Sequence, residues 1–240
     1  MNQESLVCAA NNVHWYQAIF RSHGLSGAIA DGMWTSRDRP PPYYSNAVTV
    51  APSAVEAQAA TLRALSDMLS SPWSVKDSFS VLELSPLGFR PLFDASWIWC
   101  DAADAPVYVR GETVWQRVGT SAELERWEGA WRENGSPADS RVFVHDLLAD
   151  PTVALFSGVR GGTIVAGCVA NRSFGAVGFS NLFIAGGDDD QTIAQAVSEV
   201  ARFGSGLPIV GYLAGERLAR VNRLGFRTVG QLRVWRTGTD

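Results

Sequence analysis

The segment from Ala176 to Val197 constrains the fold more than any other part of the chain. Its first part is apolar and rich in aromatic and β-branched residues, which favours a β-strand. Gly186 and Gly187 interrupt this pattern, and the apolar residues that follow recur at helical spacing. The segment therefore predicts a strand, a glycine turn and a helix, an arrangement that can bind an anion with the free N–H groups of the helix start.

Three consecutive aspartates mark the predicted beginning of this helix. Asp188, Asp189 and Asp190 suit that position, because a carboxylate accepts backbone hydrogen bonds there and interacts favourably with the helix dipole. At the other end, Gly204 is predicted to be the left-handed cap. We interpret the aspartates as caps rather than as metal ligands, since no other residue of the segment supports a metal site.

Length and composition are those of an ordinary globular protein. The chain has 240 residues, of which 46% are hydrophobic and 18% charged, which is enough for a large core and unlike a disordered chain. The net charge of −4 and the lack of a basic stripe argue against nucleic acid as a partner. No apolar run approaches the roughly 20 residues of a membrane helix, and no secretion signal is recognisable. We therefore expect a cytoplasmic protein without a membrane partner.

The cysteines give no sign of a metal or redox site. Cys8, Cys100 and Cys168 are far apart in the sequence, and the last two lie in predicted strands, so buried thiols are expected. No His/Cys cluster has metal-ligand spacing, and neither a nucleophile elbow nor a phosphate-binding loop ending in lysine occurs. The sequence therefore predicts no metal.

The N-terminal part begins with an amphipathic helix and continues into a long loop. Apolar residues at three- and four-residue steps predict the helix over 9–20. The connection over 24–42 has no periodicity and contains three consecutive prolines, so it is a candidate cover for a cleft, with Trp34 as its anchor. The other predicted elements here are a strand over 44–50, a helix capped by Ser53 and Glu56, a strand over 75–79, and a strand around Trp97 and Trp99.

Two short motifs recur in the same order along the chain. Leu-Gly-Phe-Arg occurs at 87–90 and at 224–227, and Ser-Asn occurs at 45–46 and at 180–181, at nearly the same offset. In each Leu-Gly-Phe, leucine would pack a last helical turn, glycine would take the left-handed cap, and phenylalanine would return to the core. The paired matches predict an internal duplication with a partial first copy.

The second half of the chain continues this order of elements. Its predicted elements are a strand over 114–118, a helix with the capping box Thr120 and Glu123, a hairpin turning at Gly161-Gly162, the strand and helix of 176–197, a strand over 208–212, a helix over 216–224, and a last strand over 231–235.

The order that ends in Leu224-Gly225-Phe226 and a closing strand resembles the GNAT family of acyl-CoA-dependent N-acetyltransferases. The resemblance implies an α/β fold with mixed sheets and about one and a half GNAT-like copies in tandem. Residues 1–104 would form a partial, degenerate copy, and 105–240 a complete GNAT-like domain.

The resemblance also implies acetyl-CoA as cosubstrate, although the loop departs from the family motif. Asp189 stands in place of a basic or amide residue and Thr192 in place of a glycine, so that only Ala194 fits. A helix start stabilises an anion by roughly 0.3–1 kcal/mol, whereas one like charge at about 4 Å opposes it by roughly 4 kcal/mol at an effective dielectric constant near 20. The implied cofactor-binding residues are Leu182, Phe183, Ile184, Gln191, Thr192, Ile193 and Ala194.

The catalytic residues are less well defined than the cofactor loop. Many GNAT enzymes have a proton-donating tyrosine four residues before the glycine of Gly-Phe, but Val221 stands there, and Ala214 stands where an asparagine is frequent. Candidates by location are Ser180, Asn181 and Tyr212, and the sequence identifies no general base.

Two functions follow from these observations. The first is acetyl transfer from acetyl-CoA to a small-molecule amine or a peptide amine, which works mainly by positioning the reactants. The second is a non-catalytic GNAT-like binding or regulatory protein, which the acidic loop and the missing tyrosine favour. A homodimer is compatible with the sequence, which does not define the oligomeric state.

Overall fold

A computed structural model describes residues 2–70, 72–107 and 111–238. Within the described ranges, no helix is long and apolar enough to cross a membrane. The helices are α1 (Gln3–Ser22), α2 (Val55–Ser66), α3 (Ser121–Glu133), α4 (Asp190–Gly204) and α5 (Gly215–Arg223). The strands are β1 (Ala28–Ala30), β2 (Met33–Thr35), β3 (Ala47–Thr49), β4 (Ser74–Asp77), β5 (Phe89–Cys100), β6 (Val114–Arg117), β7 (Val153–Arg160), β8 (Thr163–Ser173), β9 (Ala176–Ile184), β10 (Ile209–Leu213) and β11 (Arg227–Thr237).

These strands form one mixed sheet in the order β1-β2-β3-β4-β11-β5-β10-β9-β8-β7-β6. The pairs β3–β4 and β9–β10 are parallel. The predicted α/β class with a mixed sheet is therefore confirmed.

The last strand of each half of the chain pairs with strands of the other half. Strand β5, from the first half, lies antiparallel between β10 and β11 of the second half, and β11 pairs in turn with β4. The sheet is thus continuous across residue 104. The division into units 1–104 and 105–240, and the duplication that would explain it, stay predictions.

Helices cover both faces of the sheet where β7, β8 and β9 run side by side. Alternate residues of these strands point to opposite faces, so that Leu155, Val169 and Phe183 pack with α1 and α3. Their neighbours Phe156 and Cys168 pack with α4 and α5. Strand β9 is therefore held between two apolar layers, which fix the position of its backbone towards Ile184.

The repeated Leu-Gly-Phe motif has the predicted conformation in both places. Gly88 and Gly225 have φ of 80° and 93°, the left-handed region that favours glycine. Phe89 and Phe226 return to the core and are buried. The capping box of Thr120 is also confirmed, with both reciprocal hydrogen bonds to Glu123 present.

Two predicted helix ends are wrong. The N-cap of α2 is Ala54, which makes no side-chain hydrogen bond, because the helix begins one residue too late for Ser53 to cap it. Gly204 is the last residue of α4, and Ser205 takes the left-handed conformation. A Cβ on Gly204 would lie 2.6 Å from Val177 Cγ1, so close packing against β9 explains the glycine.

The loop over 24–42 also differs from its prediction. Strands β1 and β2 form a short antiparallel hairpin inside it. Trp34 does anchor this segment, but in the core, where it is 0% exposed and packs edge to face on Tyr16 and Phe20. It does not line the cavity described below.

All three thiols are expected to resist modification in the folded protein. Cys8, Cys100 and Cys168 are buried and free. Burial raises the pKa of Cys8 to about 12 and that of Cys100 to about 11, and it also raises the pKa of Cys168. The thiolate is the reactive form of cysteine. A colorimetric disulfide reagent at pH 8 should therefore detect few thiols in the folded protein and three per chain in urea. Rapid reaction of the folded protein would contradict the burial.

Candidate active site

Strands β9 and β10 pair only at their beginning and then separate. Their parallel register consists of Val177 with Ile209 and Gly178 with Val210. One residue further, the strands still touch, since a Cβ on Gly211 would lie 2.5 Å from the carbonyl oxygen of Phe179. Beyond this contact the two strands do not pair with each other, and Arg217 reaches the carbonyl oxygen of Leu182.

A bulge in β9 bends the strand at the point of separation. The register with β8 shifts so that Gly167 pairs with Phe183 but Val169 pairs with Ser180. Asn181, inside the bulge, has φ of 52°, a left-handed conformation that asparagine adopts more readily than most residues. Bulges of this kind reorient side chains and often lie at functional sites.

A cavity of about 240 Å³ opens between the separated strands. The candidates Ser180, Asn181 and Tyr212 line it together with Leu182. The amide of Asn181 donates a hydrogen bond of 3.0 Å to Ser180 Oγ. The structure therefore brings together the residues that location alone suggested.

Several lining residues were not found from the sequence. They come from α1, from the residues after the three prolines, and from α3 and α5, and they include Asn12, Trp15, Tyr16, Tyr43, Tyr44, Trp131 and Arg217. Two consecutive tyrosines directly after a proline run were the sequence signal that could have indicated Tyr43 and Tyr44.

The other predicted cofactor-binding residues do not line this cavity. Phe183 and Ile184 are buried in the core, as are the side chains of Thr192, Ile193 and Ala194, whereas Gln191 is exposed at the start of α4. A ligand at this loop can therefore contact the backbone and Gln191, and the role of all these residues stays a prediction.

The three aspartates are neither directed together at the cavity nor free in solvent. Asp189 caps α4 and accepts a hydrogen bond of 2.7 Å from Thr192 N. Asp188 forms a two-point ion pair with Arg217, with both N–O distances 2.7 Å. Asp190 pairs with Arg220 and Arg223 at 2.9 Å.

The arginines of α5 neutralise the acidic loop. Arg217, Arg220 and Arg223 follow each other at three-residue steps and so share one face of the helix. Hydrogen bonds from Arg217 hold the pKa of Asp188 below its ordinary value, and those from Arg223 and Arg220 do the same for Asp190. Guanidinium groups are thus paired with Asp188 and Asp190, although Arg220 also pairs with Glu216, and this pairing weakens the electrostatic objection to a phosphate at this loop.

Comparison with known proteins identifies the fold. No protein-family profile matches the chain, and no curated protein matches it. A GCN5-related N-acetyltransferase from Kribbella flavida has a TM-score of 0.66 and 12% identity, over 98% of this chain and 96% of that chain.

Two further solved structures agree with the first. A GCN5-related N-acetyltransferase from Sphaerobacter thermophilus has a TM-score of 0.56 and 12% identity, over 86% of this chain and 76% of that chain. A conserved protein of unknown function from Staphylococcus epidermidis has a TM-score of 0.61 and 11% identity, with coverages of 92% and 98%. This chain has the GNAT fold. At such identities the likeness shows the fold alone, so the chemistry must be argued from the site.

Two positions of the GNAT pattern are apolar in this chain. Val221, where many members have a tyrosine, is 0% exposed and packs in the core beneath α5. Ala214 is the N-cap of α5 and makes no side-chain hydrogen bond. Any proton donor in this GNAT fold must therefore come from another element.

Tyr44 is a phenol among the residues that line the cavity. It is buried, and burial raises its pKa well above the ordinary value. Nearby Tyr16 and Tyr212 add to the rise, while Trp15 and Asn181 partly offset it. The Tyr44 hydroxyl therefore keeps its proton at neutral pH and cannot act as a general base.

Proposed function

We propose that this protein transfers the acetyl group of acetyl-CoA to an amine. The proposal rests on the cavity between the separated strands β9 and β10 of a GNAT fold, lined by Ser180, Asn181 and Tyr212. When bound, acetyl-CoA supplies the acetyl thioester. Transfer forms a nitrogen–carbon bond and breaks the carbon–sulfur bond, and the proton lost by the amine goes to the thiolate or to water.

The loop before α4 has a suitable charge balance for the cosubstrate. Backbone groups of Leu182–Ile184 and of 191–194 would hold it, as in the GNAT pattern. Asp188 and Asp190 are paired with arginines of α5, Asp189 caps α4, and Arg217 lines the cavity as a cation. Helix N–H groups and a guanidinium together favour a phosphate group.

Two phenols with different surroundings line the cavity. The Tyr44 hydroxyl can donate a hydrogen bond there, and burial raises its pKa, which makes it a weaker acid than an ordinary phenol. Tyr212, on β10, lines the same cavity. We assign the proton-donor role that Val221 cannot fill to Tyr212, with Tyr44 as a hydrogen-bond donor beside it, and we leave positioning of the amine to Ser180 and Asn181.

A second candidate function is binding without catalysis. Two contacts favour it: Asp189 occupies the Thr192 N–H, and Arg217 donates a hydrogen bond of 2.8 Å to the carbonyl oxygen of Leu182. Both use backbone groups that a cosubstrate would otherwise contact. If they persist, the protein would retain the fold as a binding or regulatory module.

Calorimetric titration with acetyl-CoA at low and moderate salt separates these candidates. We expect a micromolar dissociation constant, weaker at higher salt because charged groups contribute. ATP serves as a control for non-specific phosphate binding. Absence of heat from protein shown to be folded by circular dichroism would exclude acetyl-CoA as cosubstrate, and acetyl transfer to any amine in a panel would exclude the non-catalytic candidate.

A further inference from the structure

A lysine without a carboxylate partner is buried beside the proposed cavity. Lys76, on β4, is 2% exposed. Its Nζ lies 3.1 Å from Asn12 Oδ1 and 4.1 and 4.8 Å from the ring centroids of Tyr212 and Tyr16. Within the described residues, no carboxylate lies within 4.0 Å of it.

The adjacent carboxylate, that of Asp77, binds other groups. Asp77 follows Lys76 directly and therefore points to the opposite face of β4. Its carboxylate accepts backbone hydrogen bonds of 3.2 Å from Phe79 and 2.7 Å from Leu82. It stabilises the turn after the strand and does not neutralise the lysine.

Burial and the neighbouring tyrosines act in opposite directions on the pKa of Lys76. Burial acts to lower the pKa of Lys76, but Tyr16 and Tyr212 more than offset this effect, so that the pKa lies above its ordinary value. The ring faces and the Asn12 amide are neutral groups, which stabilise an ammonium without cancelling its charge. A buried charge in this state is strongly stabilised by an anion that reaches it.

Lys76 borders a cavity next to the one between β9 and β10. It lines a second cavity of about 630 Å³. The tyrosines at positions 16, 43, 44 and 212 line both this cavity and the one between β9 and β10. The second cavity also contains Arg39 and Arg236 but, among its described lining residues, only one acid, Asp139. A ligand that extends from the first cavity into the second therefore meets a net positive environment.

We propose that the acceptor is an amine that also carries a carboxylate, as an amino acid does, and that Lys76 binds the carboxylate while the amine lies near Ser180 and Tyr212. A single buried ammonium balances one negative charge, which suits a carboxylate better than a phosphate dianion. This inference names the acceptor class of the proposed acetyl transfer and rests on that function for its chemistry, but not for the anion site itself.

The test compares acids with their amides in the absence of acetyl-CoA. Binding of the protein amino acids and of the corresponding amino acid amides to the full chain is measured by calorimetry and by thermal shift. We expect at least one amino acid to bind and its amide to bind roughly thirtyfold more weakly or worse, as for loss of a buried charge pair. Equal binding of acid and amide, or no binding of any amino acid, would overturn the proposal.

Two variants locate the effect. Lys76→Met removes the buried charge, keeps the side-chain bulk, and is expected to weaken the amino acid by the same factor while leaving acetyl-CoA affinity unchanged. Arg236→Gln removes an exposed cation from the same cavity and should change the affinity less than about threefold. An unchanged affinity in Lys76→Met would overturn the assignment, and if that variant does not fold, the acid–amide comparison in the natural chain decides.

The outcome is separable from that of the proposed function. Acetyl-CoA titration of the same sample reports on the cosubstrate site, and the amino acid titration reports on Lys76. Binding of an amino acid without acetyl-CoA binding would sustain the carboxylate site and reject acetyl transfer. Intact mass measurement after incubation with acetyl-CoA adds a check, because acetylation of Lys76 itself would make it an acceptor and overturn its role as an anchor.

Discussion

Replacing Trp127 with alanine is expected to lower the free energy of unfolding by about 3–5 kcal/mol. The side chain is 0% exposed, and its indole N–H donates a hydrogen bond of 2.8 Å to the carbonyl oxygen of Phe156. Its ring packs edge to face on Phe143 and Phe183, with centroid distances of 4.9 and 5.3 Å. The substitution leaves a cavity against β9, and urea unfolding followed by circular dichroism measures the loss.

The conservative variant Trp127→Phe is the matched control. It keeps an aromatic ring but leaves the Phe156 carbonyl oxygen without its partner, so we expect a smaller loss of about 1–3 kcal/mol. A loss below about 1 kcal/mol for the alanine variant would be typical of a surface position and would contradict the buried packing of α3 described above.

Replacing Arg217 with glutamine is expected to weaken acetyl-CoA binding roughly a hundredfold. Asp188 would then face the proposed phosphate site without its counter-charge, and a like charge at about 4 Å opposes an anion by up to roughly 4 kcal/mol near the protein surface. Asp188→Asn should act in the opposite direction, with a gain of about tenfold, because it frees Arg217 for the phosphate. The double variant should resemble the natural protein, and calorimetric titration measures all three.

Arg223→Gln controls for a general effect of removing charge from α5. Its side chain is 56% exposed, compared with 31% for Arg217. We therefore expect less than about a threefold change in affinity. Tighter binding in Arg217→Gln would contradict the proposal and support the non-catalytic candidate, in which Arg217 closes the groove by occupying the Leu182 carbonyl oxygen.

Local signals in the sequence predicted several conformations that neighbouring residues set, although the capping box of Ser53 and Glu56 did not form. The capping box of Thr120 and Glu123 is made within one turn of helix. Gly161 and Gly162 have φ of 56° and 83° at the predicted hairpin. The prediction for Gly204 was wrong because a contact between distant elements decides this position. The glycine is required by its close contact with Val177 of β9, and not by the end of the helix.

The candidate site was only partly predictable. Ser180, Asn181 and Tyr212 could be placed because they belong to strands that the resemblance identifies. The ion pair of Asp188 with Arg217 could not be foreseen, because Arg217 lies on a different helix. The three-residue spacing of the α5 arginines was visible, but the spacing does not say what their common face contacts.

By itself, the sequence determined most of the order of strands and helices, though not the hairpin of β1 and β2, together with the glycine turns and the strand that carries the site, because these depend on periodicity and on conformations of single residues. Only the tertiary structure decided that β5 lies between β10 and β11 and that Asp188 and Asp190 are paired with α5. It also decided that Lys76 from the first half is buried beside Tyr212 from the second. Such contacts join residues far apart in the chain, and their energies depend on burial and distance, which no local pattern specifies.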